Sequence, residues 1–499
     1  MKNIILFKSK HNNNYLYNTY TKTVYYLNQI MFAVISSLEQ GMNKDEITND
    51  FLLQRYNIKT SEFLLNAYKR KVDNYIKGDP SKNYNTFCIE QISEDLIKYQ
   101  IANKPQVVFE VTESCNLRCH YCGYGDLYNW YDPRHGNDLD INTAKLLIQY
   151  ILNMRDSKHC ITSSQKFIIG FYGGEPLLRF DFIKEIVLFT KTLCSENLFF
   201  TFKMTSNAVF LEKYMDFLAE HNFELLISLD GDRKHNSYRV FHNGKESFPI
   251  VFKNIKQLKE KHPDYFKEHV SINAVLHNRN SMQKIRDFIV KNFEKEPSLA
   301  DISTQGLDET KKETISQLFQ NKKEQLHQSE DYFGESSNLE YLKIDSMEVA
   351  RFMIYQTNRI YPNLADLYAN QNRPIKPTGT CIPFSRKLYV TATGKILPCE
   401  NTPHQYSMGH ASVDGVTIDF KAIADQYNTC INEISPLCNS CYRITHCMQC
   451  VFSLNLSSKK VRCYGYTTKA MFSIYLSNLF SYMENNLEQL KQSESVIFL

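Results

Sequence analysis

The chain has 499 residues, with 58 Lys and Arg against 54 Asp and Glu, a formal net charge of +4 and 14 cysteines. That length holds two to four domains with a well-buried core. The near balance of charge, with Lys and Arg scattered, excludes nucleic acid as the main partner, because such binding needs a concentrated basic face. No run approaches the ~20 apolar residues of a membrane span. The opening MKNIILFKSKHNNN turns polar too soon for a secretory signal. A soluble, cytoplasmic protein is therefore expected, in which clustered cysteines read as metal ligands rather than disulfides.

In the first part, Asn3–Lys8, Asn14–Tyr17 and Thr23–Leu27 read as short strands. Helical patterns follow at Met31–Leu38, Ile47–Tyr56 and Phe63–Ile76. Asn43 with Glu46 makes a capping-box-like start for the second. In the third, Leu64, Tyr68, Val72 and Tyr75 recur at helical spacing. Strands followed by three helices resemble the small winged-helix modules that bind leader peptides in ribosomal peptide biosynthesis. That resemblance implies a leader added as a strand to an exposed sheet edge. An unrelated accessory domain is the alternative. The module is placed at residues 1–85, with the polar stretch Lys77–Thr86 as its linker.

From 105 to 300 the pattern changes to strands alternating with helices. Gln106–Thr112, Phe167–Tyr172, Phe199–Met204, Glu224–Leu229 and Val270–Leu276 are β-rich, with helical patterns between them such as Thr143–Met154 and Phe182–Leu193. Such alternation implies parallel strands with crossover helices. Directly after the first strand comes ESCNLRCHYC, a C-x3-C-x2-C run of Cys115, Cys119 and Cys122. Three thiolates can hold three irons of a [4Fe–4S] cube and leave the fourth without a protein ligand, an arrangement suited to catalysis. A zinc knuckle is the alternative.

This run, with the aromatic Tyr121 before its last cysteine, resembles the radical S-adenosylmethionine (SAM) enzymes. The resemblance implies a partial (β/α)6 barrel whose open iron chelates SAM and whose reduced cluster releases a 5′-deoxyadenosyl radical. The chemistry is then expected at the C-terminal mouth of the sheet. By the same resemblance, Gly173, Gly174 and Glu175 receive the SAM amino group. Ser228 and Arg239 bind the methionine carboxylate, a guanidinium fork suiting that group, and Asn207 or Asp230 lies near the ribose. Ordinary turn residues after strands are the alternative for each.

Residues 301–375 read as a polar connector. From 376 to 499 the chain is cysteine-rich: Cys381-x12-Gly394-x4-Cys399, then Cys438-x2-Cys441-x5-Cys447-x2-Cys450, then Cys463. This resembles the SPASM extension, departing by one residue before Cys450. Paired zinc sites are the physical alternative. The resemblance implies two auxiliary [4Fe–4S] clusters, one on Cys438, Cys441, Cys447 and Cys463, the other on Cys381, Cys399 and Cys450. Fully ligated relatives carry a further cysteine where this chain has Lys387, which leaves an open iron unless Cys430 fills it. Cys88, Cys160 and Cys194 read as small buried hydrophobes.

The architecture expected is therefore α/β: a radical SAM barrel with an N-terminal winged-helix-like module and a C-terminal SPASM domain. The expected activity is that of a peptide maturase installing a crosslink in a ribosomal peptide. A Cys thioether is the leading product, and C–C or C–O crosslinking is the alternative. A formylglycine-forming sulfatase maturase is the second enzyme reading, and a zinc-stapled binding protein the non-enzymatic one. Expected partners are a precursor peptide with its leader and an electron donor such as ferredoxin or flavodoxin, with no nucleic acid or membrane. No general base is identifiable.

Overall fold

The computed structural model describes residues 3–77, 88–89, 91–103, 106–161, 166–196, 198–303, 306–319, 346–357, 374–375, 382–447, 449–453, 463 and 465–487. Most of the 77–86 linker, most of the connector and Cys381 lie outside them. Among the described residues no helix is long and apolar enough to cross a membrane.

The N-terminal module is a three-stranded antiparallel sheet, β1 (Ile4–Lys8), β2 (Asn14–Asn18) and β3 (Thr23–Leu27), in that order. Helices α1 (Gln29–Glu39), α2 (Asn49–Tyr56) and α3 (Glu62–Lys77) follow. Ile4, Leu16 and Leu27 from alternate strand positions pack with Met31, Val34, Leu52, Leu65 and Val72, as the periods of 2 and 3.6 require. The second helix departs from expectation at its start. The Asn43 N–H does donate to Glu46 (2.7 Å), but this closes an exposed turn, and Thr48 caps α2 by accepting from Phe51 N.

After β4 (Cys88–Ile89) and α4 (Glu94–Asn103), six parallel strands form neighbours in chain order: β5 (Gln106–Thr112), β6 (Lys166–Gly173), β7 (Phe199–Ser206), β8 (Glu224–Ser228), β9 (Val270–Leu276) and β10 (Ser298–Asp301). Their crossovers carry α5 (Ile141–Arg155), α6 (Phe180–Leu193), α7 (Leu211–Glu220), α8 (Phe248–Lys261), α9 (Pro263–His269) and α10 (Met282–Phe293). Strands covered on both faces read as apolar runs. The exception in β5 is Glu110, 1% exposed, whose charge is met by Arg134 at 2.8 Å.

Beyond α11 (Lys312–Leu318) and α12 (Ser346–Gln356), β11 (Pro374–Ile375) pairs with β4. The cysteine-rich part then joins the main sheet. β12 (Leu388–Val390) lies parallel to β5, and β13 (Lys395–Leu397), β14 (Gly409–Ser412) and β15 (Gly415–Ile418) continue antiparallel, making ten strands in one sheet. Helices α13 (Phe420–Cys438) and α14 (Lys469–Asn485) complete it. Helix α14 covers the edge of β1. Ser473 and Ser477 donate to the Leu6 and Lys8 carbonyls, and Ser481 accepts from Lys10 N, so one serine per turn satisfies the edge. Ile5, Phe7 and Tyr17 share a core with Phe352, Phe472, Tyr475 and Leu479.

Candidate functional site

The cysteine loop leaves β5 and is held as an irregular strand against the segment after β8. Arg118 N donates to Val240 O (2.7 Å) and His120 N to Tyr238 O (3.2 Å). Two tight turns follow, Cys122 N to Cys119 O and Gly125 N to Cys122 O. Cys115, Cys119 and Cys122 are all half-buried, and the Cys115 sulfur accepts from Leu117 N at 3.4 Å. Burial pushes the Cys115 thiol up to about 11 and Cys119 to about 12, with the neighbouring cysteines adding to both. Without a positive centre these thiolates are therefore disfavoured, and an iron–sulfur cluster supplies one. No three His, Cys, Asp or Glu side chains among the described residues converge as they would around a single metal ion. A cube asks for a different arrangement, with each thiolate on its own iron.

The glycines of Gly173-Gly174-Glu175 lie directly against this loop. Gly173 has φ +130°, and a Cβ there would stand 2.4 Å from Thr112 O; at Gly174 it would stand 2.1 Å from Ser114 O. The absent side chains let Gly174 N and Glu175 N donate to Thr112 O and Ser114 O (2.9 and 3.0 Å), one residue before Cys115. Glu175 is 1% exposed. Its carboxylate accepts from Leu177 N, Ser206 Oγ and Asn207 N at 2.8–3.1 Å. Burial raises it to about 7 against those three donors. Asn207 reaches the cysteine loop, donating to Asn116 Oδ1 (2.8 Å) with Cys115 Sγ 3.7 Å away.

Behind the loop lies a buried cluster that the spacing alone does not announce. Asp230, fully buried, accepts from Arg239 Nε (3.0 Å) and Nη2 (3.1 Å), from Val275 N (2.9 Å) and from the Tyr121 hydroxyl. The Arg239 guanidinium stands 5.5 Å from the Tyr121 ring centroid. Burial works against the Arg239 charge, but Asp230 holds it well above its ordinary value. The fork expected to face a carboxylate ligand is thus already engaged with a carboxylate of the chain. His277 stacks on Tyr121 at 5.7 Å and is held neutral, lowered to about 4 chiefly by burial. Ser228 is half-buried at the end of β8, opposite Asn273.

Of the second cysteine set, four gather at the end of α13. Cys438 is pushed up to about 12, first by burial and then by Cys447, Cys463 and Cys441. These are the four cysteines that the sequence groups as one ligand set. At the other site Cys399 follows β13, its sulfur 3.4 Å from Thr402 Oγ1, and Cys450 is half-buried. Gly394 makes the β12–β13 turn with φ +87°, where a Cβ would stand 2.2 Å from Ala411 O. Lys387 is ion-paired with Glu400 at 2.7 and 2.9 Å. Cys430 packs against the barrel core, raised by burial and Glu433. Cys194, expected buried, is exposed because α6 ends there and turns its sulfur to Thr190 O.

Between Cys122 and Cys399 stands a wall of tyrosines that the motif reading missed. Tyr124 is 4.9 Å from Tyr131 and 6.3 Å from Tyr172, and its hydroxyl meets that of Tyr389 at 2.9 Å. Arg134 lies 4.2 Å over Tyr124. Burial raises Tyr131 to about 12, with contributions from Cys399, Glu400 and Cys122. One signal was available: Glu110 is the single charge in the apolar strand QVVFEVT.

Residues 109–290 match the family model of the Radical SAM superfamily. Over 188 residues the chain is 31% identical to the cysteine-type anaerobic sulfatase-maturating enzyme of Clostridium novyi, covering 37% of this chain and 46% of that one. Over 150 residues it is 27% identical to the serine-type anaerobic sulfatase-maturating enzyme of Bacteroides thetaiotaomicron, covering 29% and 34%. The chain thus spans less than half the length of these relatives. Native anSMEcpe with bound AdoMet and Cp18Cys peptide superposes with a TM-score of 0.50 at 17% identity, covering 79% of this chain and 99% of that one. This chain therefore carries a radical SAM domain on the radical SAM α/β fold, a domain type whose cofactors are SAM and a [4Fe–4S] cluster.

Proposed function

We propose that this chain is a radical SAM peptide maturase that oxidises a ribosomally made peptide, with an intramolecular Cys thioether as the product. The observation that carries the reading is the parallel pairing of β12 with β5, which sets the Cys399 hairpin beside the strand that leads into the cysteine loop. A substrate side chain in the tyrosine-walled space would then face both. When bound, the cluster and SAM supply a 5′-deoxyadenosyl radical that takes a hydrogen atom from the substrate. Cys115, Cys119 and Cys122 hold the cluster, and Cys381, Cys399 and Cys450 hold one auxiliary cluster. Cys438, Cys441, Cys447 and Cys463 hold the other. Asn207 and Glu175 fix the loop, and the Asp230–Arg239 pair supports it through Tyr121.

In the N-terminal module α14 covers the β1 side, and no strand pairs with the outer edge of β3 among the described residues. Tyr26 on β3, 67% exposed, offers apolar surface there. An extended leader peptide fits that edge through backbone hydrogen bonds. Ferredoxin or flavodoxin is the proposed electron donor.

A second reading, formylglycine formation from a Cys or Ser of a sulfatase, is supported equally by the two sulfatase-maturating relatives. One experiment separates them: anaerobic incubation of the reconstituted protein with SAM, a low-potential reductant and either a peptide encoded beside its gene or a sulfatase peptide. A loss of two hydrogens with fragmentation blocked between a Cys and its acceptor supports the thioether maturase. Formylglycine in the sulfatase peptide alone supports the second reading.

A further inference from the structure

The cysteine loop and the segment after β8 run as a short antiparallel ribbon. Leu117 bridges Phe241, Arg118 N donates to Val240 O and His120 N to Tyr238 O. All three pairs share one register, and it sets Cys119 opposite Arg239, between two cross-ribbon hydrogen bonds. At such a position the facing side chains of an antiparallel pair stand closest. The Arg239 side chain is fixed by Asp230, which accepts from Nε at 3.0 Å and Nη2 at 3.1 Å. Asp230 is fully buried and Arg239 nearly so, and solvent therefore screens neither charge strongly.

The two charges do not cancel at the sulfur. After burial, Arg239 acts most strongly on the Cys119 thiol and favours the thiolate, and Asp230 opposes it more weakly. The influence is mutual, since Cys119 helps to hold the Arg239 charge. The charges acting on Cys115, those of Glu175 and Cys122, are both negative. Arg239 and Asp230 thus form a buried dipole with its positive end toward Cys119. Iron–sulfur potentials respond to net charge and exposure around the cluster.

We propose that Arg239 is a potential-setting residue: its guanidinium, held by Asp230 opposite Cys119, raises the affinity for an electron of the iron–sulfur cluster on Cys115, Cys119 and Cys122. This rests on the reading of those three cysteines as cluster ligands. A cation favours the reduced, more negative cluster, and the carboxylate of Asp230 opposes it more weakly. The two residues therefore have effects of opposite sign. Removing both charges acts in the direction of removing Arg239, at a smaller size.

The test is an electron-paramagnetic-resonance redox titration of the anaerobically reconstituted holoenzyme, with iron and sulfide measured on the same samples. It is run without SAM, so that a change in SAM binding does not enter, and it follows the signal that Cys119→Ala lacks. Arg239→Met is expected to shift the ratio of reduced to oxidised cluster about tenfold toward oxidised at a fixed potential, about 59 mV for a one-electron couple. Asp230→Asn is expected to shift it the other way, and Arg239→Lys, which keeps the charge, to stay near the wild type. The double variant Asp230→Asn with Arg239→Met is expected to shift about threefold toward oxidised. Unshifted potentials, or shifts of the same sign in Arg239→Met and Asp230→Asn, overturn the proposal. If either single variant loses its iron, the double variant decides, and an unchanged or raised potential there overturns the proposal. Wild-type protein with no signal that Cys119→Ala removes overturns the cluster assignment together with the proposal, an outcome that iron analysis tells apart from a failed shift.

Discussion

Replacing Asp230 by Asn tests the support behind the cysteine loop. The carboxylate is fully buried and faces four donors: Arg239 Nε and Nη2, Val275 N and the Tyr121 hydroxyl. An Asn amide keeps one acceptor oxygen and turns an N–H group toward two donors that had been accepted. Each buried donor left unsatisfied costs about 1–3 kcal/mol. The Arg239 charge, itself 7% exposed, loses its counter-ion, and breaking a buried pair from one side costs about 3–5 kcal/mol. The two penalties overlap, so about 3–5 kcal/mol is expected in total. The chain's one tryptophan, Trp130, packs over Gly306 near the loop, so its fluorescence in a urea titration of the apo-protein reports this region. Adding Arg239→Met to Asp230→Asn is expected to recover part of the loss, because both charges then leave together. A single-variant cost below about 1 kcal/mol, or costs that simply add in the double variant, would refute the reasoning.

Gly174→Ala drives a Cβ to 2.1 Å from Ser114 O; relieving it by a shift of the backbone beside Cys115 is expected to cost about 1–3 kcal/mol. On the proposed set of three clusters, iron per chain should fall by about one-third. Glu175, raised to about 7 from about 4.3 in the unfolded chain, holds a proton in the folded apo-protein that the unfolded chain gives up. Its contribution is therefore fully present below the unfolded value and declines as pH rises toward 7, by about 1.4 kcal/mol per unit. Glu175→Gln should flatten that part of the thermal-stability profile. Cys438→Ser should lose the iron of one auxiliary cluster, whereas Cys430→Ser, in the barrel core, should leave iron content unchanged.

Local periodicity carried much of the fold into the sequence. The bounds expected for β3 and β9, Thr23–Leu27 and Val270–Leu276, are those observed, because each stretch is rich in β-branched and aromatic residues between turns. What stayed hidden is non-local. The join of β12 to β5 links Leu388 with Val107, and three-residue strands carry little periodicity of their own. Helix α14 was not foreseen, and its serines acquire meaning only against the β1 edge. In the site, the spacing Cys438-x2-Cys441-x5-Cys447 grouped cysteines that lie near one another in the fold, with Cys447, Cys463 and Cys441 all acting on Cys438. Gly174, Asp230 and Arg239 were visible as residues, but the contact of Gly174 with Ser114 and the pairing of Arg239 with Asp230 were not: one contact crosses two strand ends, the other closes a loop. The Asn43–Glu46 pair formed its hydrogen bond without starting a helix, since Thr48 caps the next turn better.

The most direct test of the radical SAM reading is the 5′-deoxyadenosine released from SAM by anaerobically reconstituted protein with a low-potential reductant, compared with Cys119→Ala. The account predicts 5′-deoxyadenosine from the wild type and none from the variant, even where the variant keeps its auxiliary iron. Fully iron-loaded wild-type protein that leaves SAM intact, or a Cys119→Ala variant that cleaves it as well, would contradict the account.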